Sequence, residues 1–268
     1  MNKIPTAVIQ INAGSDKKSN LDNAARLVKR AARNGARLVA LPELFNWRGS
    51  KRDMKKNSEP LSGLTYKKMA GLASSLNIYI HCGSILETNP RSQKPFNTSF
   101  LLSPKGKRIA HYRKIHLFTL RAPGKGSIDE RLLYSAGGKI ISALTPFGTV
   151  GFTICYDLRF PELYRSLTIQ GAEIIFVPSA FTFDTGKAHW ETLLRTRSIE
   201  NQVFIIAPNQ YGNGPSQTLN YGHSMIVDPW GTVLARCTNE EKIIYADLDM
   251  AYLKTVRKKL PVLNGIKL

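Results

Sequence analysis

The sequence predicts a mixed α/β domain in which helices cover sheets in layers. Three observations carry this. Strand-like and helix-like segments alternate along the chain, hairpin patterns are inserted between them, and strands continue to the C-terminal end. That combination calls for mixed rather than purely parallel sheets. No Ser/Pro/Gly-rich linker divides the 268 residues and no internal repeat is present, so residues 1–268 read as a single domain. An α/β-barrel fits less well, because the inserted hairpins interrupt the strand–helix alternation that a barrel requires.

Residues 6–12 (TAVIQIN) read as a first buried strand. A helix follows from residue 19. Ser19 or Asn20 can cap it, Leu21, Ala24, Ala25, Leu27, Val28, Ala31 and Ala32 form one apolar stripe, and Asn34-Gly35 ends it through the left-handed region. Residues 36–44 (ARLVALPEL) are a short buried strand, 63–76 a second helix, and 77–86 (NIYIHCGSIL) a further strand. Residues 97–104 and 107–114 form a hairpin around Ser103-Pro104-Lys105-Gly106. Residues 119–139, rich in Gly, Pro and charge, read as a long loop. Residues 145–155 give another hairpin ending in a buried strand. Then come a helix (157–172), a strand (173–180), a helix (187–202) and a strand (203–210). Strands at 221–229, 231–237 and 242–249 and a short helix near 249–259 complete the chain.

Composition narrows the class. Hydrophobic residues make up 43% and recur along the whole length, which excludes a disordered chain. No stretch approaches the ~18 uninterrupted apolar residues of a membrane span. The N-terminal run, broken by Gln10 and Asn12, reads as a strand rather than a signal peptide. Cys82, Cys155 and Cys237 are too few and too scattered for a disulfide framework, so a reducing cytoplasm is the expected compartment.

Lys and Arg total 38 against 19 Asp and Glu, a net charge of +19. Residues 1–150 hold 26 basic against 8 acidic side chains, and residues 151–268 hold 12 against 11. The surplus therefore belongs to the first part of the chain. Such a charge prompts a nucleic-acid-binding reading, but no zinc-finger spacing, RNP-like aromatic motif or helix-turn-helix accompanies it. The basic residues scatter in small clusters such as Lys17-Lys18, Lys51-Arg52 and Lys55-Lys56, more like solvated faces than a nucleic-acid surface.

The chemistry sits at three strand ends. In GFTICYDLRFPEL a strand ends at Ile154 and a helix begins around residues 157–161, which puts Cys155 on a strand-to-helix turn. A side chain there projects from the sheet edge, and N–H groups of the first helical turn can face an oxyanion. A thiol near a helix N-terminus is also expected to have a lowered pKa. The alternative is a buried core cysteine, which is the stronger reading for Cys82 and Cys237. Glu43 follows a buried strand in LPELFN, and Lys114 ends another in YRKIHLF. A carboxylate or ammonium in such surroundings must be paired or functional. A structural ion pair is one reading. A Cys nucleophile with a Glu base and a Lys cation is the other. None of the five histidines sits in a papain-like context.

LPELFN with Glu43, YRKIHLF with Lys114 and CYDLRFPEL with Cys155 resemble, in order, the three signature motifs of the nitrilase superfamily of carbon–nitrogen hydrolases. The resemblance continues through PSAF, TGKAHWE, LLRTRSIENQ and YGHSMIVDPWG. It implies a four-layer αββα sandwich, pairing through helices beside the active site into a homodimer or higher homo-oligomer, and neither metal nor organic cofactor. It implies that Glu43 serves as base, Cys155 as nucleophile, and Lys114 with the Tyr156 N–H as oxyanion stabilisers. A second glutamate of the family corresponds to Glu130 in PGKGSIDERLL. Thr119 and Arg131 depart there from the usual Asp and Ser, which leaves Glu130 also readable as a solvated loop charge.

The later motifs are similar to those of the deaminated glutathione amidase and omega-amidase branches, the former more closely. The resemblance thus implies an amidase acting on a small-molecule amide that carries a carboxylate, with α-ketoglutaramate as the alternative substrate. Arg159 is the candidate for the carboxylate, or a structural partner of Asp157 or Glu162. Phe181 and Thr182 should line the pocket beside Cys155. His189 reads as a hydrogen-bonding structural residue, and Lys187 stands where these branches commonly have Pro. A catalytically dead scaffold is a further class, opposed by the intact Glu43, Lys114 and Cys155.

Overall fold

The fold is that of a computed structural model, which describes residues 3–122, 126–215 and 218–267. The first strand, β1 (Lys3–Gln10), is followed by α1 (Lys17–Arg33), β2 (Leu38–Ala40), the short α2 (Met54–Asn57), α3 (Leu64–Leu76) and β3 (Tyr79–His81). Next come β4 (Ile85–Glu87), β5 (Phe96–Leu102), β6 (Arg108–Arg113), β7 (Thr119–Ala122), β8 (Gly126–Asp129), β9 (Ser142–Thr145) and β10 (Gly148–Phe152). The second part holds α4 (Pro161–Ile169), β11 (Ile174–Phe176), α5 (Phe183–Asn201), β12 (Phe204–Ala207), β13 (Tyr211–Asn213) and β14 (Leu219–Tyr221). It closes with β15 (Met225–Val227), β16 (Val233–Arg236), β17 (Lys242–Asp249) and α6 (Met250–Lys259).

Two mixed sheets form. One has the order β17-β1-β2-β3-β5-β4, with β6 also paired to β5; the other is β16-β15-β12-β11-β10-β9. Parallel pairing of β1, β2 and β3, and of β10, β11 and β12, follows from the helices that connect them. The chain closes on itself: β17 runs antiparallel to β1 in register from Lys3↔Asp249 to Gln10↔Lys242.

Side-chain alternation decides the layers. Ala7, Ile9, Val39 and Ile80 face outward and pack against the α1 stripe of Leu21, Ala24, Leu27 and Val28 and against Met69 and Ala73 of α3. Ile4, Val8, Leu38 and Ala40 face inward and share a core with Val150, Phe152, Ile174 and Phe176 of the other sheet. That core continues to Leu163 and Leu167 of α4 and Trp190 and Leu194 of α5. The order α, β, β, α is the four-layer sandwich. Because both faces of the central strands are buried, they read as unbroken apolar runs rather than alternating ones.

Several local expectations change. Asp16, not Ser19 or Asn20, caps α1, its carboxylate accepting from the Ser19 N–H at 3.0 Å. The segment 77–86 is two short strands with a break at Gly83, where a Cβ would lie 1.9 Å from the Pro42 carbonyl oxygen. The first part of the expected loop at 119–139 is the hairpin β7–β8, paired from Thr119↔Asp129 to Ala122↔Gly126, followed by a 3-10 turn at Glu130–Leu132; residues 123–125 lie outside the described residues. Helix α5 begins at Phe183, earlier than the apolar pattern indicated.

Candidate active site

The three strand ends meet at one end of the space between the sheets. Glu43 follows β2, Lys114 follows β6 directly, and Cys155 follows β10 and opens the 3-10 turn Cys155–Arg159. Lys114 has no exposed surface; its Nζ donates to Glu43 Oε1 at 2.9 Å and to Glu130 Oε2 at 2.9 Å. The Glu43 carboxylate accepts two further hydrogen bonds, from Asn97 Nδ2 and from the Ala180 N–H, each at 2.8 Å. Glu130 Oε2 also accepts from the Phe118 N–H at 2.8 Å, and the Glu130 N–H donates to the Phe118 carbonyl at 2.8 Å. The β7–β8 hairpin folds the segment back and delivers Glu130 to Lys114. Glu130 is therefore not a solvated loop charge. Its neighbour Asp129 is the one paired on the loop, with Arg131 at 2.6 Å.

The backbone is strained where the chemistry gathers. Leu44 has φ +50° and Cys155 has φ +49°, left-handed values that a side chain resists by roughly 1–3 kcal/mol. Asp157 holds the Cys155 turn in place. Its buried carboxylate accepts from the Ile154 N–H and the Tyr112 hydroxyl at 2.8 Å and from the His116 N–H at 3.1 Å, and lies 2.7 Å from His116 Nδ1. Tyr112 and His116 flank Lys114, so one carboxylate ties the cysteine turn to the lysine segment. Tyr156 lies in the first 3-10 turn, whose early N–H groups have no acceptor within the helix.

Electrostatics follow from the enclosure. Burial pushes the Cys155 thiol well above its ordinary pKa; Glu43 and Glu130 push the same way and Lys114 only partly opposes them. This reverses the lowering expected from a helix start, because two carboxylates and the loss of water outweigh a few N–H dipoles. Burial disfavours the Lys114 charge, yet Glu130 and Glu43 outweigh it and hold the ammonium well above its usual value. Burial and the nearby Glu43 charge raise the Glu130 carboxyl, against the pull of Lys114.

A cavity of about 350 Å³ opens onto these groups, lined by Glu43, Glu130, Cys155, Tyr156, Arg159 and Phe181 among others. Lys114, fully buried, is bonded to both of the lining carboxylates Glu43 and Glu130. The Arg159 guanidinium lies over the Phe181 ring at 5.2 Å and the Tyr156 ring at 5.9 Å, with Nη1 3.3 Å from His189 Nδ1. It makes no ion pair with Asp157 or Glu162, so the structural-partner alternative does not describe it. The Phe181 N–H donates to Asn209 Oδ1 at 3.0 Å, and Thr182 precedes α5 with its hydroxyl 2.7 Å from that of Thr185. His189 sits inside α5, exposed, and Lys187 is exposed outside the cavity lining.

Sequence reasoning did not find Asn97, Asp157 or Arg48 as site residues. The first had a signal: a polar residue opening a buried strand (NTSFLL). Asp157 stood inside CYDLRFPEL, where Cys155 drew the attention, and Arg48 lies two residues beyond LPELFN. Among the described residues no cluster of three or more His, Cys, Asp and Glu side chains is arranged to hold a metal ion. No helix among them is long and apolar enough to cross a membrane.

Comparison with known proteins gives a consistent result. The carbon–nitrogen hydrolase family matches residues 6–258. Deaminated glutathione amidase of Bos taurus is 41% identical over 261 residues, which cover 96% of this chain and 80% of that protein. Omega-amidase NIT2 of Homo sapiens is 36% identical over 262 residues, 98% of this chain and 94% of that protein. Among solved structures, the C. elegans NitFhit protein matches with a TM-score of 0.93 at 36% identity, covering 100% of this chain and 66% of that one. Saccharomyces cerevisiae Nit3, a member of branch 10 of the nitrilase superfamily, matches with a TM-score of 0.88 at 34% identity, covering 97% and 95%.

Proposed function

The chain belongs to the carbon–nitrogen hydrolase family, and on that premise we propose that it is an amidase with a Glu43–Lys114–Cys155 triad, acting on a small anionic amide through a thioester. The observation that supports it most directly is the position of Cys155. A strained nucleophile candidate and a carboxylate held by three donors, one of them the buried Lys114 ammonium, line one cavity.

In this reading the substrate amide enters beside Cys155. Glu43 takes the thiol proton as Sγ attacks the amide carbon, so no free thiolate is needed at rest, in keeping with the raised thiol pKa. Charge develops on the amide oxygen. Lys114 has three N–H donors and spends two on Glu43 and Glu130; the third, with the Tyr156 N–H, serves the oxyanion. The C–N bond breaks and the amine leaves with the proton from Glu43. Glu43 then draws a proton from water, the water oxygen attacks the thioester, and the thiol is restored as the carboxylate product departs. Glu130 anchors Lys114 throughout.

Arg159, with its guanidinium over the Phe181 and Tyr156 rings and no carboxylate partner among the described residues, takes the carboxylate of the acyl half, with Phe181 and Thr182 beside it. The relatives named deaminated glutathione amidase and omega-amidase point to deaminated glutathione first and α-ketoglutaramate second. The proposal extends to a single hydrolase domain and a cytoplasmic setting, supported by three free cysteines. It also extends to pairing of protomers through α4 and α5, where Ile169 and Ile199 stand exposed.

An assay of deaminated glutathione, α-ketoglutaramate and a simple aliphatic nitrile tests it. Carboxylate or ammonia release from the amides, lost in Cys155→Ser, is expected. Turnover of the nitrile alone, or full activity in Cys155→Ser, would overturn it.

A further inference from the structure

The two outer helical layers differ in charge. Helices α1 and α3, which cover the first sheet, carry eight Lys and Arg side chains, six on α1 and two on α3, against one acid, Asp22. Helices α4 and α5, which cover the second sheet, carry four basic and four acidic side chains. The net charge of +19 is therefore not an even background; the fold gathers much of it on one layer.

In the sequence these cations stand in separate short clusters and read as solvated faces. In the fold their unpaired members share one surface. On α1, Lys18, Lys29, Arg30 and Arg33 are exposed opposite the buried stripe of Leu21, Ala24, Leu27 and Val28. Helix α3 lies beside α1, where its Lys68 pairs with Asp22 and leaves Lys67 exposed. Beyond α3, in the order of the sheet, the β5–β6 turn continues the surface. Gly106 of this turn lies against Ala70 and Ser74, its carbonyl accepts from the Tyr66 hydroxyl at 3.3 Å, and Lys105 and Lys107 are exposed. None of these seven cations has a carboxylate partner among the described residues, and none lines the cavity.

Helix formation does not account for them. Arg30 and Arg33 suit the negative end of the α1 dipole, but Lys18 stands in the first turn, where a cation is unfavourable and no acid offsets it. Lys29 and Arg33 are also like charges at i and i+4, an arrangement that weakens a helix. Such a surface is completed by an anion of extended, repeating charge. A bilayer-surface helix lays an apolar face among the headgroups. Here the apolar faces of α1 and α3 are consumed by the sheet, and Leu64 is the one large apolar side chain exposed on these elements among the described residues. Single strands are gripped by exposed aromatic platforms, and this surface has none among the described residues. The phosphate backbone of a duplex asks only for cations. Helix α1 is about 25 Å long, a length over which a duplex carries about 15 phosphate charges. We propose that the α1–α3 layer and the β5–β6 turn form a sequence-independent docking surface for double-stranded nucleic acid. The surface is separate from the cavity, so the proposal stands or falls independently of the amidase reading.

Titration of a labelled random-sequence duplex of about 20 base pairs, followed by fluorescence anisotropy, tests it on the full chain. Wild type is expected to bind, with affinity falling steeply between about 50 and 200 mM salt. Lys29→Gln/Arg30→Gln/Arg33→Gln should weaken binding at least about tenfold and reduce the slope of log affinity against log salt by about two to three. Lys254→Gln/Lys258→Gln/Lys259→Gln removes as much charge from the exposed side of α6 and should stay within about twofold of wild type. Circular dichroism checks that each variant folds. Should the α1 variant fail to fold, Lys105→Gln/Lys107→Gln carries the comparison, weakening binding at least about threefold where Lys258→Gln/Lys259→Gln does not. Absence of binding at about 50 mM salt overturns the proposal. So does equal weakening by the α1 and α6 variants, which would make net charge the whole effect. Capture of wild type by phosphatidylserine vesicles but not by the duplex overturns it too, and would make the partner a bilayer.

Discussion

Lys114 Nζ and Glu43 Oε1 lie 2.9 Å apart, with side chains 0% and 3% exposed. A pair this deep is held by mutual compensation, since each charge alone would be stranded. Lys114→Met leaves both Glu43 and Glu130 without their cation. It should cost about 3–5 kcal/mol of stability and abolish turnover. Glu43→Gln should be milder for the fold, because its amide oxygen still accepts from Asn97 or Lys114, yet equally inactive because no base remains. Urea denaturation alongside the amide assay separates the two; an active Glu43→Gln protein would sink the role given to Glu43.

The resting thiol gives a second expectation. Burial, Glu43 and Glu130 together hold the Cys155 pKa well above its ordinary value, so the thiol is protonated at neutral pH. Inactivation of the free enzyme by a neutral alkylating reagent should be slow at pH 7 and should keep rising with pH beyond 9. Replacing Glu130 with Gln removes one of the raising charges and should shift that profile to lower pH. A rate that levels off below pH 7 would contradict it and favour a preformed thiolate.

Asp157 offers a test of positioning. Its carboxylate joins Ile154 and the cysteine turn to Tyr112 and His116 beside Lys114. Tyr112→Phe removes one hydrogen bond and should cost about 1 kcal/mol with a modest loss of kcat. Asp157→Leu leaves several buried donors unpaired and should cost about 3 kcal/mol or more, with a far larger fall in kcat. If Asp157→Leu kept wild-type kcat, the turn would be held by something else.

The contrast between what could and could not be read in advance has a physical basis. Glu43 and Cys155 stood out because each ends an apolar strand, and Lys114 because it ends a strand with apolar Ile115, Leu117 and Phe118 beside it, places where a polar residue must have a reason. The layered fold was legible for the same reason: burial on both faces writes unbroken apolar strands such as LVAL and IIFV. The β7–β8 hairpin was not legible. Its strands lie at the surface, so Gly, Pro and charge hid a pairing that tertiary contact with Lys114 stabilises. The thiol pKa was misjudged because one segment shows its own helix start but not the two carboxylates that arrive from distant strands.

His81 yields the last expectation, on acid stability. It lies at the end of β3 between the sheets, fully buried, with its ring stacked on Phe176 at 4.0 Å and Nε2 2.9 Å from the Ser99 hydroxyl. Nδ1 has no partner among the described residues. Burial pushes its pKa down to about 3. The unfolded chain binds the proton near pH 6.5, so between about 6.5 and 3 the unfolded state holds one more proton than the folded state. Stability is therefore present above this window and is lost as pH falls through it, by about 1.4 kcal/mol per unit from this group alone. His81→Phe keeps the stack and removes the proton site. Urea denaturation at pH 6.5 and 4.5 should show the wild type losing about 2 kcal/mol more than the variant over that interval. Parallel losses in the two proteins would mean that His81 carries its charge in the folded state.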